Sequence, residues 1–188
     1  MNTLNIIIID RLLALVGIIL LFPIIILIIF IGLFDTGSPL FFQMRVGKNQ
    51  RAFTLMKFRT MRKGTASVAS HEVSRDAVTP MGIILRKTKL DELPQLLNVL
   101  KGEMSLVGPR PCLLNQQELI NERQQRGVFT VLPGITGLAQ VNDIDMSDPH
   151  RLAEWDQRMI ERFSVSAYFK YIFMTLVGRG AGDKVNHD

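Results

Sequence analysis

Cysteine is almost missing from this 188-residue chain, which carries Cys112 alone. One thiol closes no internal disulfide, so a disulfide-stapled secreted scaffold is excluded and a reducing compartment is indicated. Histidine is nearly as scarce: His71, His150 and His187 stand far apart and supply no ligand set for zinc. The Gly-x-Ser-x-Gly elbow, the Gly-x-x-x-x-Gly-Lys loop and the Gly-x-Gly-x-x-Gly fingerprint are all absent, which removes the usual signs of serine hydrolases, P-loop enzymes and dinucleotide enzymes. Each histidine reads as a surface residue. Cys112, with no histidine near it in sequence, reads as a small packing residue rather than a nucleophile. The lone Trp155 reads as a core or interface anchor.

Charge is missing altogether from residues 12–34, a run of 23. At about 1.5 Å per residue a helix of that length reaches roughly 35 Å, enough for a bilayer core of about 30 Å. A wholly soluble protein is therefore not expected. Because no other uncharged run reaches about 18 residues, a many-pass transporter is excluded as well. No small-x-small cleavage site comes after the run, so it reads as retained rather than as a signal peptide. Pro23 sits at its midpoint and removes the N–H that would bond the Ile19 carbonyl. This leaves two readings: a kinked spanning helix, which the residues alone favour, or a break where the chain turns back. Asp10 and Arg11, at the edge of the run, are expected to pair and to reach the interface.

Acidic residues are absent between Asp35 and Glu72, whereas Arg45, Lys48, Arg51, Lys57, Arg59, Arg62 and Lys63 lie between them. A basic block just after a membrane segment places the rest of the chain in the cytoplasm, and it would attract anionic headgroups or a phosphorylated substrate. Over the whole chain, hydrophobic residues at 47% and charged ones at 21% are globular values rather than disordered ones. The expectation is an α+β fold, mostly helical, with a short β-hairpin: a membrane segment over 1–35 and a cytoplasmic domain over 36–188.

Within that domain, 40–44 and 52–58 alternate like strands around the turn Val46-Gly47-Lys48-Asn49. Residues 63–79 read as a mobile polar loop. Leu93, Leu96, Leu97 and Leu100 share one helical face, and Pro94 requires the helix to begin near Asp91, with Lys101-Gly102 as its stop. Further helices are expected over 113–125, with Glu122 and Arg126 one turn apart, and over 151–162. The apolar stretch 163–177 reads equally as a core helix or as one lying in the membrane interface.

Asp91 and Glu92 are the candidate chemistry. Adjacent carboxylates at a helix start ordinarily do no more than cap it and complement its dipole. Here cations surround them in sequence: Arg86, Lys87 and Lys89 upstream, Lys57 and Arg59 at the end of a strand, and Arg110 between two prolines in Gly108-Pro109-Arg110-Pro111. An acidic pair among cations suits a polyphosphate with a divalent metal, which would bridge carboxylate and phosphate oxygens while guanidiniums clamp the phosphates.

Lys57-Phe58-Arg59-Thr60-Met61, the 22 residues from Leu90 to Pro111, and Pro133-Gly134-Ile135-Thr136-Gly137-Leu138-Ala139-Gln140-Val141-Asn142 resemble the bacterial sugar transferases, in particular the small monotopic phosphoglycosyl transferases. The resemblance covers nearly the whole chain. It implies transfer of a sugar 1-phosphate from a UDP-sugar to undecaprenyl phosphate, with release of UMP, as the first step of a lipid-linked surface glycan. It implies Asp91 as the nucleophile of a phosphosugar-aspartyl intermediate and Glu92 as its partner, the two also holding magnesium. Lys57, Arg59, Arg86 and Arg110 become the phosphate-binding cations. Pro23 becomes the break of a re-entrant membrane helix, with both ends on the cytoplasmic face of the bacterial inner membrane. The implied partners are a UDP-sugar, undecaprenyl phosphate, inner-membrane lipid and downstream glycosyltransferases, and no nucleic acid.

This chain departs from the pattern in two places. Ile6 and Ile7 stand where many members carry Lys-Arg, and Asn142-Asp143-Ile144 stands where Asn-Gly-Arg is usual. The lost arginine motivates the alternative of a membrane-docked scaffold that keeps the fold without turnover. The intact Asp91-Glu92 pair and Arg110 argue for the enzyme.

Overall fold

The uncharged run forms the longest element, helix α1, Leu4–Asp35. Pro23 lies inside it, so one continuous helix replaces the expected helix-break-helix. A proline removes a single N–H, and a helix with contacts on both sides of the gap tolerates that loss. Those contacts lie on one helical face: Ile6, Asp10 and Ala14 are four residues apart, and Ile28 follows Ala14 by fourteen, about four turns. Ile6 packs with Val107, Met159 and Tyr168. Ala14 joins Phe53, Leu55, Val99 and Met104, and Ile28 joins Phe58 and Leu85. The computed structural model describes residues 4–65 and 75–180.

Two carboxylates fasten this helix to the domain. Asp10 lies on the same face as Ile6 and Ala14, one turn from each. It accepts the Leu106 N–H at 2.9 Å and the Tyr168 hydroxyl at 2.7 Å. The expected pairing with Arg11 is therefore corrected: helical geometry turns Asp10 inward and leaves Arg11 exposed on the next face. At the other end Asp35 accepts the Thr79 hydroxyl at 2.7 Å. From Leu12 to Phe34 the other faces of α1 are apolar and largely exposed, with Leu20 at 72% and Phe34 at 78%. A helix apolar all round and covered on one side only needs lipid on the rest. The chain thus carries a membrane-anchoring helix.

The β-hairpin forms as expected. Strand β1, Leu40–Val46, pairs antiparallel with β2, Ala52–Phe58, in the register Leu40↔Phe58 to Val46↔Ala52. The expected loop over 63–79 falls partly on residues 66–74, which lie outside the described residues. Its return limb is tied down: the Arg62 N–H donates to the Ala77 carbonyl at 2.9 Å and the Thr79 N–H to the Thr60 carbonyl at 3.0 Å. Helix α2, Pro80–Thr88, then begins on a Thr79 cap with proline in its first turn. A Cβ on Gly82 would lie 2.1 Å from the Thr60 carbonyl oxygen, so only glycine lets α2 approach the end of β2 this closely.

The expected helix at Asp91 starts later than the spacing suggests. Leu90–Glu92 is a 3-10 turn, Leu93 and Pro94 follow, and helix α3 runs Gln95–Lys101 to Gly102, whose φ of 80° closes it. After it, β3, Ser105–Val107, pairs in parallel with β4, Gly134–Thr136, in a two-stranded sheet. Between them lies α4, Gln117–Gln125, shorter than expected, with the Arg126–Glu122 pair one turn apart at 3.1 Å. The chain continues through α5, Leu138–Val141, and α6, Pro149–Glu161. Helix α7, Val165–Leu176, buries Tyr168 and exposes Phe169, Phe173 and Leu176, so one side is core and the other is not.

Candidate active site

Three segments converge on the acidic pair. Helix α2 ends at Lys89, whose φ of 58° is left-handed and swings the chain into the 3-10 turn. That turn presents Asp91, 5% exposed, and Glu92 beside it. Strand β2 packs against the same turn, and its last residues, Lys57 and Phe58, are buried. The third segment is the Gly108–Pro111 loop, from which the Arg110 guanidinium donates to Glu92 Oε1 at 2.9 Å. Side-chain exposures of 24% and 12% leave this ion pair at the edge of solvent.

Glycines bring the third segment into place. A Cβ on Gly134 would lie 2.0 Å from the Gly108 backbone nitrogen, and one on Gly137 would lie 2.6 Å from the Gly108 carbonyl oxygen. The Gly108-Pro109 and Pro133-Gly134 turns therefore touch backbone to backbone.

The proposed cations sort into two groups. Arg110 meets Glu92 directly. Arg86 is buried and donates from Nε to the Thr60 hydroxyl at 2.9 Å, between α2 and the end of β2. Lys57 lies 5.6 Å from the centre of the Phe41 ring. Arg59 shares that ring at 5.3 Å, but donates to the Ser38 carbonyl at 2.9 Å and the Leu40 carbonyl at 3.3 Å. Two of its donors thus close the joint between α1 and β1, a place the sequence alone did not assign to it.

Lys89 was legible only as one of several upstream cations. Its ammonium donates to the Arg179 carbonyl, tying the Leu90–Glu92 turn to the segment after α7. Burial lowers its pKa from the ordinary lysine value; Glu92 opposes the shift, Arg110 adds to it and Asp143 opposes it. The four charges form one neighbourhood. Asp143 has a φ of 58°, and Ile144 packs against the core around Leu152 and Ala153 with Trp155. An apolar side chain at 144 thus serves packing.

His150 lies beside Arg126, at 3.0 Å, on the surface. Cys112 is fully buried in the core, as a packing residue would be. His71 and His187 lie outside the described residues. Among the described residues no group of three or more His, Cys, Asp or Glu side chains could hold a metal. Magnesium does not demand such a cage. It is commonly held by one or two carboxylates together with substrate phosphates and water, and the Asp91-Glu92 pair fits that donor set.

Comparison with known proteins identifies the family. The bacterial sugar transferase family matches residues 1–179. An uncharacterized sugar transferase of Bacillus subtilis, EpsL, is 42% identical over 141 residues, covering 74% of this chain and 69% of the relative. The undecaprenyl-phosphate glucose phosphotransferase of Komagataeibacter xylinus is 39% identical over 159 residues, 78% of this chain and 30% of its own. The UDP-galactose-lipid carrier transferase of Erwinia amylovora is 35% identical over 186 residues, 86% of this chain and 38% of its own. The chain therefore spans less than half the length of the last two. With the family matched from the membrane helix through the last helix, the chain belongs to the bacterial sugar transferase family.

Proposed function

We propose that this protein is a phosphoglycosyl transferase that moves a sugar 1-phosphate from a UDP-sugar to a polyprenol phosphate, releasing UMP. The observation that carries this reading is the setting of Asp91: a buried carboxylate on a tight turn, with the Arg110–Glu92 pair beside it and Lys57 and Arg86 on the elements packed against that turn. In the first half-reaction a carboxylate oxygen of Asp91 attacks the β-phosphorus. The bond from that phosphorus to the bridging oxygen breaks, and UMP leaves with the electron pair. In the second, a phosphate oxygen of the polyprenol phosphate attacks the same phosphorus, the acyl phosphate bond breaks, and Asp91 is restored as a carboxylate.

The cations lower the repulsion between an anionic nucleophile and an anionic diphosphate. Arg110 can bridge Glu92 and a phosphate oxygen, because a guanidinium has five donors in a planar fork. Magnesium, held by Asp91 and Glu92, would neutralise further charge on the diphosphate. The relatives' names support a lipid carrier as acceptor. A panel of donors decides which UDP-sugar is used.

The reading extends to the membrane. Asp10 and Asp35 bind one and the same domain, so a helix standing upright across the bilayer would draw that polar body in with it. We place α1 within the cytoplasmic leaflet, both ends on the cytoplasmic face of the inner membrane, where a soluble donor and a lipid acceptor meet. A cysteine at Asn5, in a Cys112→Ala background, should resist a membrane-impermeant thiol reagent in intact cells; labelling from outside would establish a spanning helix.

The test of function is UMP release from a panel of UDP-sugars with undecaprenyl phosphate, together with intact-protein mass spectrometry after exposure to donor alone. A sugar-phosphate adduct mapped to Asp91 is expected. An adduct on Glu92 would reverse the roles, and neither adduct nor UMP with any donor would leave a scaffold.

A further inference from the structure

Arg110 can be aimed only as well as the loop that carries it. From Gly108 to Cys112 every backbone carbonyl of that loop accepts a hydrogen bond. Gly108 accepts from Gln140 Nε2 at 3.3 Å, Pro109 from the Gly134 N–H at 2.9 Å, and Cys112 from the Val46 N–H at 2.9 Å. The two in the middle differ in kind. The Arg110 carbonyl accepts from a guanidinium nitrogen of Arg123 at 2.8 Å, and the Pro111 carbonyl from one of Arg45 at 3.0 Å.

Both donors are buried, Arg45 at 6% and Arg123 at 1% exposed. Burying a guanidinium is costly unless its charge and donors are met. Arg123, on α4, is met by Asp156 on α6, whose Oδ2 accepts from its Nε at 3.0 Å and a terminal nitrogen at 2.7 Å. Arg45 is held from the side by Gln43 Oε1 at 2.7 Å. A buried ion pair is weak evidence for stability, because apolar residues of similar volume often do as well. A planar fork does what an apolar group cannot: it fixes an acceptor in direction as well as distance.

We propose that Arg45 and Arg123 are positioning residues, which grip the carbonyls of Pro111 and Arg110 and thereby point the Arg110 guanidinium at Glu92. Asp156 balances the Arg123 charge and holds its fork turned toward the loop. Neither arginine touches substrate; each acts through the loop. The activity readout of this proposal rests on the transferase reading, whereas its structural readout does not.

The experiment uses the full chain in detergent or nanodiscs, with Arg123→Lys and Arg45→Lys as parallel variants. Lysine keeps the positive charge but loses the fork. UMP release should fall about 10- to 100-fold in each, as is usual when a supporting partner is altered. In an Arg110→Ala background the same changes should cost less than about 2-fold, because the residue they aim is gone. Hydrogen exchange in the peptide over 106–114 should quicken, with the hairpin's β2 unchanged. Wild-type turnover in both variants, or an equal loss in both backgrounds, would overturn the proposal. If Arg123→Lys fails to fold, Arg45→Lys decides. If the wild type releases no UMP from any donor, the transferase reading falls, and unaltered exchange over 106–114 would then overturn the grip separately.

Discussion

Carboxylates hold both the membrane helix and the Leu90–Glu92 turn in place, and they do so with opposite kinds of partner. Asp10 and Asp35 accept from neutral donors: a backbone N–H and the hydroxyls of Tyr168 and Thr79. Glu92 accepts from a guanidinium. Neutral donors satisfy a carboxylate without offering anything to a phosphate, so the helix anchors are closed. A guanidinium at the edge of solvent keeps donors to share, so Arg110 can take a second, anionic partner beside Glu92. Under the proposed transfer reaction, the difference would separate carboxylates that build the molecule from those that work in it.

The sharpest break in that comparison is Asp91→Asn. Shape is nearly conserved and the protein should fold, yet turnover should fall by roughly three orders of magnitude or more, with no adduct by mass spectrometry, because an amide cannot form the covalent intermediate. Removing divalent metal should be nearly as severe: excess chelator should abolish UMP release and magnesium restore it, while full activity in chelator would remove metal from the scheme. Arg110→Ala should cost about 100-fold in kcat/KM, as loss of one charge-stabilising donor commonly does, with thermal stability unchanged. Asp10→Ala should show the reverse pattern. It strands the Leu106 N–H and the Tyr168 hydroxyl, so stability should fall by about 1–3 kcal/mol in a denaturation assay, while protein that remains folded keeps its turnover. Loss of activity in folded Asp10→Ala would mean that the anchors and the site are coupled.

Local signals in the sequence carried the hairpin and most helices. Strand β2 occupies 52–58 as its alternation suggested, and β1 extends two residues beyond expectation, to Val46, because Arg45 and Val46 pair with Phe53 and Ala52 of β2. Helix α2 was missed although Thr79-Pro80 is a standard start, since the polar run before it masks the signal. Strands β3 and β4, three residues each, pair across an intervening helix, and no local pattern announces such pairing.

At the candidate site, the sequence singled out Asp91-Glu92 and Arg110, and the fold joins Glu92 to Arg110. It was not legible where a long side chain chooses among distant carbonyls. Arg59 and Arg45 both belong to the basic block after the membrane segment, yet one closes the α1–β1 joint and the other is buried under the Pro111 carbonyl. Counting charges shows where cations are plentiful; only the fold tells which of them turn inward.

The stripe along α1 has a practical consequence. Residues 4–35 look like a leash that could be cut to make the rest soluble, and the stripe makes them part of the wall instead. Truncation at residue 36 would uncover Phe53, Leu55 and Val99 where Ala14 sits, uncover Phe58 and Leu85 where Ile28 sits, and strip the Leu106 N–H of its acceptor. The shortened protein should aggregate during expression rather than yield a free catalytic half. Purification should therefore start from solubilised membranes, with the anchor kept.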